Sequence, residues 1–186
     1  AMTLIDDFRA DVLYSRMGSA IKMSGGSAAN TMAGLASFGA SAYYIGKVRD
    51  DQLGVLFAHD IQAVGVDYEI PAAEEGPSTA RCLIAVTPDA IRTMNTYLGV
   101  SSYLHPDDIS ESLIASGKVL YCEGYIWDID ITKQAIRKAV DVCRQSGNTV
   151  SFTLSDSFCV ERHHKDWLDL VDGSIDILFG NEAEIT

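Results

Sequence analysis

Basic residues are scarce in this chain. Fourteen lysines and arginines face 26 acidic residues, giving a formal net charge of −12 over 186 residues. That imbalance argues against a broad nucleic-acid surface, which needs clustered cations to displace counterions from phosphates. An anionic small ligand is still compatible, because helix N-termini and a metal can hold phosphate inside an acidic protein. No apolar run reaches membrane-spanning length, and no charged segment leads into an apolar one. Neither a membrane span nor a signal peptide is therefore expected. Cysteine is sparse: Cys82, Cys122, Cys143 and Cys159, with no C-x-x-C pair. Free thiols in a reducing, cytoplasmic setting are the expectation. His163 and His164 are adjacent and lack a third ligand at metal spacing, so no metal site is expected there. Two phosphate-binding fingerprints are also missing, G-x-G-x-x-G and G-x-x-x-x-G-K-[ST].

Hydrophobic residues make up 47% of the chain, enough for a sizeable core at this length, either as one domain or as part of a larger one. Apolar spacing predicts helices over Thr3–Met17, Ser24–Phe38, Gln52–Ala63, Asp107–Ala115, Ile131–Gln145 and Phe158–Val171. Short strands are predicted at Ala42–Val48, Asp67–Ile70, Lys118–Cys122, Thr149–Leu154 and Ile175–Phe179. Thr79–Thr87 and Ile91–Leu98 read as a hairpin about Pro88-Asp89-Ala90. From Lys118 onward strands and helices alternate, which implies a parallel sheet. The hairpin interrupts that rhythm and suits a flap or lid, with Leu83, Ala85 and Met94 as its apolar face.

Candidate site residues follow from these placements. The run S-G-G-S-A-A-N puts Gly25, Gly26, Ser27 and Asn30 at a helix entrance. Free N–H groups with no Cβ nearby suit hydroxyl or phosphate oxygens, though a capping turn with small packing residues reads equally from the same letters. Asn181 and Glu184 follow the strand I-D-I-L-F at the C-terminal edge of a parallel sheet, where such folds bind ligands. They are spaced either to order metal-bound waters or to form a helix cap. Glu123, Gly124 and Tyr125 end another strand, and Tyr125 or Trp127 can stack on a flat ring or pack in the core. Arg81 and Arg92 lie on the hairpin, facing a cleft or solvent.

In combination these segments resemble the pfkB (ribokinase-like) family of carbohydrate and nucleoside kinases. G-G-S-A-A-N-T, S-F-G-A and Y-I-G-K-V-R-D-D-Q-L-G are similar to its N-terminal signature. S-T-A-R-C-L-I-A-V-T-P-D-A-I-R-T-M-N-T-Y-L-G is similar to its lid hairpin, and Y-C-E-G-Y-I-W-D, L-S-D-S-F-C-V and F-G-N-E-A-E-I to its later strand ends. The resemblance implies an α/β fold with a mostly parallel central sheet, flanking helices and a small β lid at about 79–98, here as a partial domain over 1–186. It implies ATP-dependent phosphorylation of a primary alcohol on adenosine or a sugar, with Mg2+. Gly25, Gly26, Ser27, Asn30, Arg81 and Tyr125 would contact substrate, and Asn181 and Glu184 would organise Mg2+ and phosphate. A homodimer through the lid is a further implication; a binding module without chemistry is the competing one. The family's G-A-G-D element, which supplies the anion hole and catalytic base, does not occur in this sequence, nor does the Asp-bearing first strand. The expectation is a chain truncated at both ends, with no catalytic residue of its own and no kinase activity alone.

Overall fold

The computed structural model of the chain describes residues 2–185. It divides into two compact units, Ala1–Ser102 and Tyr103–Thr186.

The first unit begins with β1 (Met2–Leu4), α1 (Asp7–Arg16), α2 (Ser27–Ser37) and α3 (Gln52–Ala63), followed by β2 (Arg81–Val86) and β3 (Arg92–Tyr97). β2 and β3 form the expected antiparallel hairpin, and β1 joins the other edge of β3 in parallel. That is the first difference from the sequence reading, which ran a helix from Thr3. Asp6 explains the boundary: its side chain accepts the Arg9 N–H at 2.7 Å and caps α1, so the helix starts after it. Residues before the cap are left free to pair with β3, and the Ile5 N–H reaches the Thr96 carbonyl at 2.9 Å.

The hairpin register also corrects its predicted apolar face. Ile84 pairs with Met94, and Leu83 pairs with Asn95. Side chains alternate along a strand, so Met94 shares a face with Ile84 and opposes Leu83 and Ala85.

The strands predicted at Ala42–Val48 and Asp67–Ile70 reduce to isolated parallel bridges, Tyr43 with Asp67 and Arg49 with Ala73. Between the bridges, the Gly46 carbonyl accepts the Tyr68 hydroxyl at 3.1 Å, a side-chain bond in place of a ladder bond. These segments still enclose a core of Ala29, Ala42, Val48, Ile61, Val66 and Tyr68. The rings of Tyr44, Phe57 and Tyr68 meet there at centroid distances of 5.5–5.9 Å. Asp51 caps α3 by accepting the Gly54 N–H at 2.8 Å.

The second unit contains α4 (Glu111–Ser116), β4 (Val119–Glu123), α5 (Asp130–Gln145), β5 (Thr149–Thr153), α6 (Ser157–Ser174), β6 (Ile177–Phe179) and α7 (Glu182–Ile185). Its sheet is parallel in the order β4-β5-β6, as the alternation predicts. α5 buries Ala135, Ile136, Ala139, Val140 and Cys143, one stripe at helical spacing. Phe152, fully buried on β5, sits edge-on between Trp127 at 6.3 Å and Trp167 at 5.4 Å. Burying a side chain of that size stabilises by roughly 1.5–3 kcal/mol. α6 breaks at His163 (φ −123°, ψ 17°), whose ring lies parallel to Trp167 and whose Nε2 meets Asp128 Oδ1 at 2.7 Å. The molecule is α/β, with a parallel sheet among helices and a separate β hairpin sheet. Among the described residues, no helix is long and apolar enough to cross a membrane.

Candidate active site

In the first unit, the site residues cluster at the entrance to α2. Gly26 is the N-cap, with φ 113° and ψ 142°, a backbone state that side chains with a Cβ rarely adopt. A glycine cap offers no side chain to the first turn, and no side-chain cap bond is present. The Gly26 carbonyl accepts the Asn30 N–H at 2.8 Å, the first bond of the helix, and the Thr31 hydroxyl donates to Ser27 O at 3.0 Å. A Cβ at Gly25 would meet nothing within 4 Å, so that backbone stands open. The entrance gives onto a cleft of about 320 Å³ lined by Gly25, Asn30, Met23, Phe57 and Val64 among others. Aligned backbone dipoles at an uncapped helix start favour an oxygen-rich or anionic group.

Two residues of this cleft were missed in the sequence. The Ser24 hydroxyl donates to Asp60 Oδ2 at 2.6 Å, joining the loop before α2 to the last turns of α3. That bond and one from His59 hold the Asp60 carboxyl below its usual range. Nothing local links Ser24 to a residue 36 positions away, so the sequence carried no signal for the pair.

Arg81, the hairpin candidate, is engaged by α1. Its Nη2 lies 2.7 Å from both Asp7 Oδ1 and Asp11 Oδ1, and its guanidinium sits 5.8 Å from the Tyr97 ring centre. Its Nε is buried with no hydrogen-bond partner.

In the second unit, three loops leave the C-terminal ends of the parallel strands. After β4, Gly124–Ile126 forms a 3-10 turn carrying Tyr125. The Tyr125 hydroxyl donates to the Ser155 carbonyl, after β5, at 2.9 Å. Burial pushes the phenol pKa up, and the negative charges of Asp156, Glu123 and Glu184 add to the effect. After β6, Asn181 and Glu184 form a reciprocal cap. Asn181 donates its backbone N–H to Glu184 Oε2 at 3.2 Å and its amide to Oε1 at 2.6 Å, while the Glu184 N–H returns to Asn181 Oδ1 at 3.1 Å. Each carboxylate oxygen keeps a lone pair, so the cap still leaves acceptors for metal-bound water. No group of three or more His, Cys, Asp or Glu able to hold a metal occurs among the described residues.

Comparisons with known proteins place the chain in a family. The family "pfkB family carbohydrate kinase" matches residues 4–186. The adenosine kinase of Sinorhizobium meliloti superposes with a TM-score of 0.92 at 50% identity, covering 99% of this chain and 57% of that one. A probable sugar kinase from Rhizobium etli CFN 42 gives 0.93, also at 50% identity, over 99% of this chain and 56% of its own. Among curated relatives, probable fructokinase-3 of Arabidopsis thaliana is 28% identical over 134 residues, which is 71% of this chain and 39% of that protein. The chain thus spans about two fifths to three fifths of the lengths of these relatives. A match over residues 4–186, nearly the whole chain, means that this chain belongs to the pfkB family of carbohydrate kinases.

Proposed function

We propose that the protein containing this chain is an ATP-dependent phosphotransferase acting on a primary alcohol, with adenosine as the leading substrate. The observation that carries the reading is the 50% identity, across 99% of this chain, to the Sinorhizobium meliloti adenosine kinase. In this reading the open backbone at Gly25 and Gly26, with Ser27 and Asn30, receives substrate hydroxyls. Tyr125 offers a ring face to a purine. The hairpin over residues 79–98 acts as a lid, with Arg81 moving between its α1 carboxylates and the substrate. ATP and Mg2+ are the cofactors. Mg2+ takes oxygen donors and keeps several waters, which suits the Glu184 carboxylate and the Asn181 amide oxygen. The exposed apolar sheet face formed by Leu4 of β1 with Ile84 and Val86 of the hairpin supports a homodimer through the lid.

A sugar substrate is the second reading. It is favoured by the equal identity to the Rhizobium etli probable sugar kinase and by the fructokinase relatives. A steady-state assay of the full-length protein with ATP, Mg2+ and either adenosine or fructose separates them. The expected result is turnover of about 1–100 per second on adenosine, with kcat/KM at least tenfold above that on fructose. The reverse ratio makes it a sugar kinase. Turnover of neither, with micromolar binding retained, makes it a binding module.

A further inference from the structure

Ser155 is one of only two non-glycine residues with positive φ among the described residues; the other, Ala90, lies in the hairpin turn. Its φ of 75° is the left-handed region, where a Cβ is crowded by its own backbone. Such strain persists only where the surroundings hold it, and it marks positions worth explaining. At Ser155 the surroundings are specific. Its Oγ accepts the Gly124 N–H at 2.8 Å, and its carbonyl accepts the Tyr125 hydroxyl at 2.9 Å. One strained residue after β5 therefore grips the neighbouring loop twice, at the backbone that begins the turn and at the tip of the side chain that the turn presents. Its own geometry is set from β5: its N–H and Oγ both bond to Thr153, at 3.4 and 3.3 Å. Gly124 packs closely on α6: a Cβ there would meet the Trp167 ring at 2.1 Å, so only glycine fits.

We infer that Ser155 is a positioning residue that fixes the direction in which the Tyr125 ring projects, so that it meets a flat heteroaromatic substrate group. The inference rests on the reading of Tyr125 as a substrate contact. A phenol anchored at its hydroxyl on a fixed backbone cannot swing about its Cα–Cβ bond, so the line of its ring is pre-set, and a ligand need not supply that ordering. The left-handed backbone is what turns the Ser155 carbonyl towards the phenol. A flat ring gains from this arrangement, whereas a non-aromatic sugar does not.

The test uses the full-length protein with ATP, Mg2+ and adenosine or fructose. Ser155→Ala removes the Oγ bond and keeps the strain; Ser155→Gly removes the bond and relieves the strain. Both are expected to raise KM for adenosine about tenfold with kcat within twofold, and to leave KM for ATP and for fructose unchanged. Tyr125→Phe shifts the same constant, and the Ser155→Ala/Tyr125→Phe double variant is no worse than the larger single effect. Hydrogen exchange at the Gly124 amide accelerates at least tenfold in both Ser155 variants. Equal losses on adenosine, fructose and ATP, or unchanged Gly124 exchange, overturn the proposal. Tyr125→Ala separates the two levels. If it leaves the adenosine KM unchanged, the reading of Tyr125 as a contact fails and the inference with it. If it raises KM while the Ser155 variants do not, only the positioning role fails.

Discussion

Asp51 holds Thr79 with both oxygens of its carboxylate: the Thr79 N–H donates to Oδ2 at 2.8 Å and its hydroxyl to Oδ1 at 2.7 Å. The same Oδ1 caps α3 through Gly54, and the Arg49 N–H donates to the Thr79 hydroxyl at 3.0 Å. One carboxylate thus ties the R-D-D turn, the start of α3 and the residue that leads into the hairpin. Asp51→Ala is expected to destabilise the fold by about 2–4 kcal/mol, combining a lost cap with the loss of bonds to buried Thr79. A urea melt measures it, and a loss below about 1 kcal/mol contradicts the central role of this carboxylate.

The pH dependence of that tie has a defined sign. Burial alone raises the Asp51 pKa, but the hydrogen bonds from Thr79, Gly54 and Leu53 outweigh it and hold the carboxyl below its ordinary 3.8. A depressed folded pKa means that the stabilisation is complete above the unfolded value and is lost as pH falls through the folded one. Wild-type stability should therefore decline below about pH 4 more steeply than that of Asp51→Asn, when both are melted in urea between pH 3 and 7.

Glycine substitutions separate packing from conformation and from function. A Cβ at Gly54 would lie 2.0 Å from the Arg49 carbonyl oxygen, so Gly54→Ala should cost roughly 4 kcal/mol or more. Gly147 has φ 75° and open space around it, so Gly147→Ala should cost only the left-handed strain of about 1–2 kcal/mol. Thermal melts of the pair test the difference.

Gly25 has neither crowding nor positive φ. Gly25→Ala should leave Tm within about 2 °C of wild type while raising KM for the accepted alcohol about tenfold, because the added methyl occupies the open entrance to α2. An unchanged KM on the full-length protein removes Gly25 from the proposed site.

Glu184→Gln keeps an acceptor for the Asn181 N–H but loses the charge beside the proposed metal. The expected outcome in the full-length protein is a kcat reduced at least tenfold and a raised Mg2+ requirement, with Tm within about 2 °C. A matching loss of Tm and activity would assign the residue to the cap alone.

Thiol chemistry should follow burial. Cys82 is exposed, whereas burial pushes the Cys122 and Cys159 thiols up to about 12 and raises that of Cys143. Native-state alkylation at pH 8, mapped by peptide mass, should modify Cys82 at least tenfold faster than the other three.

Features set by neighbours in sequence were legible before the structure. α3 spans Gln52–Ala63 as expected, α5 differs by one residue at its start, and the hairpin falls within its expected bounds. Each is fixed by local period, caps or a turn. Features that depend on distant partners were not legible. β1 exists because β3 has an open edge, the face of Met94 depends on a one-residue register, and the Ser24 bond to Asp60 joins the loop before α2 to the end of α3. Ser155 was hidden for a different reason: its letters suit an ordinary strand end, and only the backbone angle distinguishes it. For Asn181 and Glu184 both open readings use the same atoms. The capping bonds are formed, and the proposed phosphate role calls on the lone pairs that they leave.

The parallel pairing of β1 with β3 bears on how the chain is made. Met2 and Met94 are partners, so the earlier strand leaves the ribosome about ninety residues before its neighbour exists. At typical synthesis rates that interval is on the order of 5–20 seconds, during which Met2 and Leu4 have no β3 edge to pair with. The hairpin can close within microseconds once Tyr97 has emerged, so β1 is a late addition to a preformed β2–β3 ribbon. β1 would then join its sheet after β2 and β3, although it is made before them.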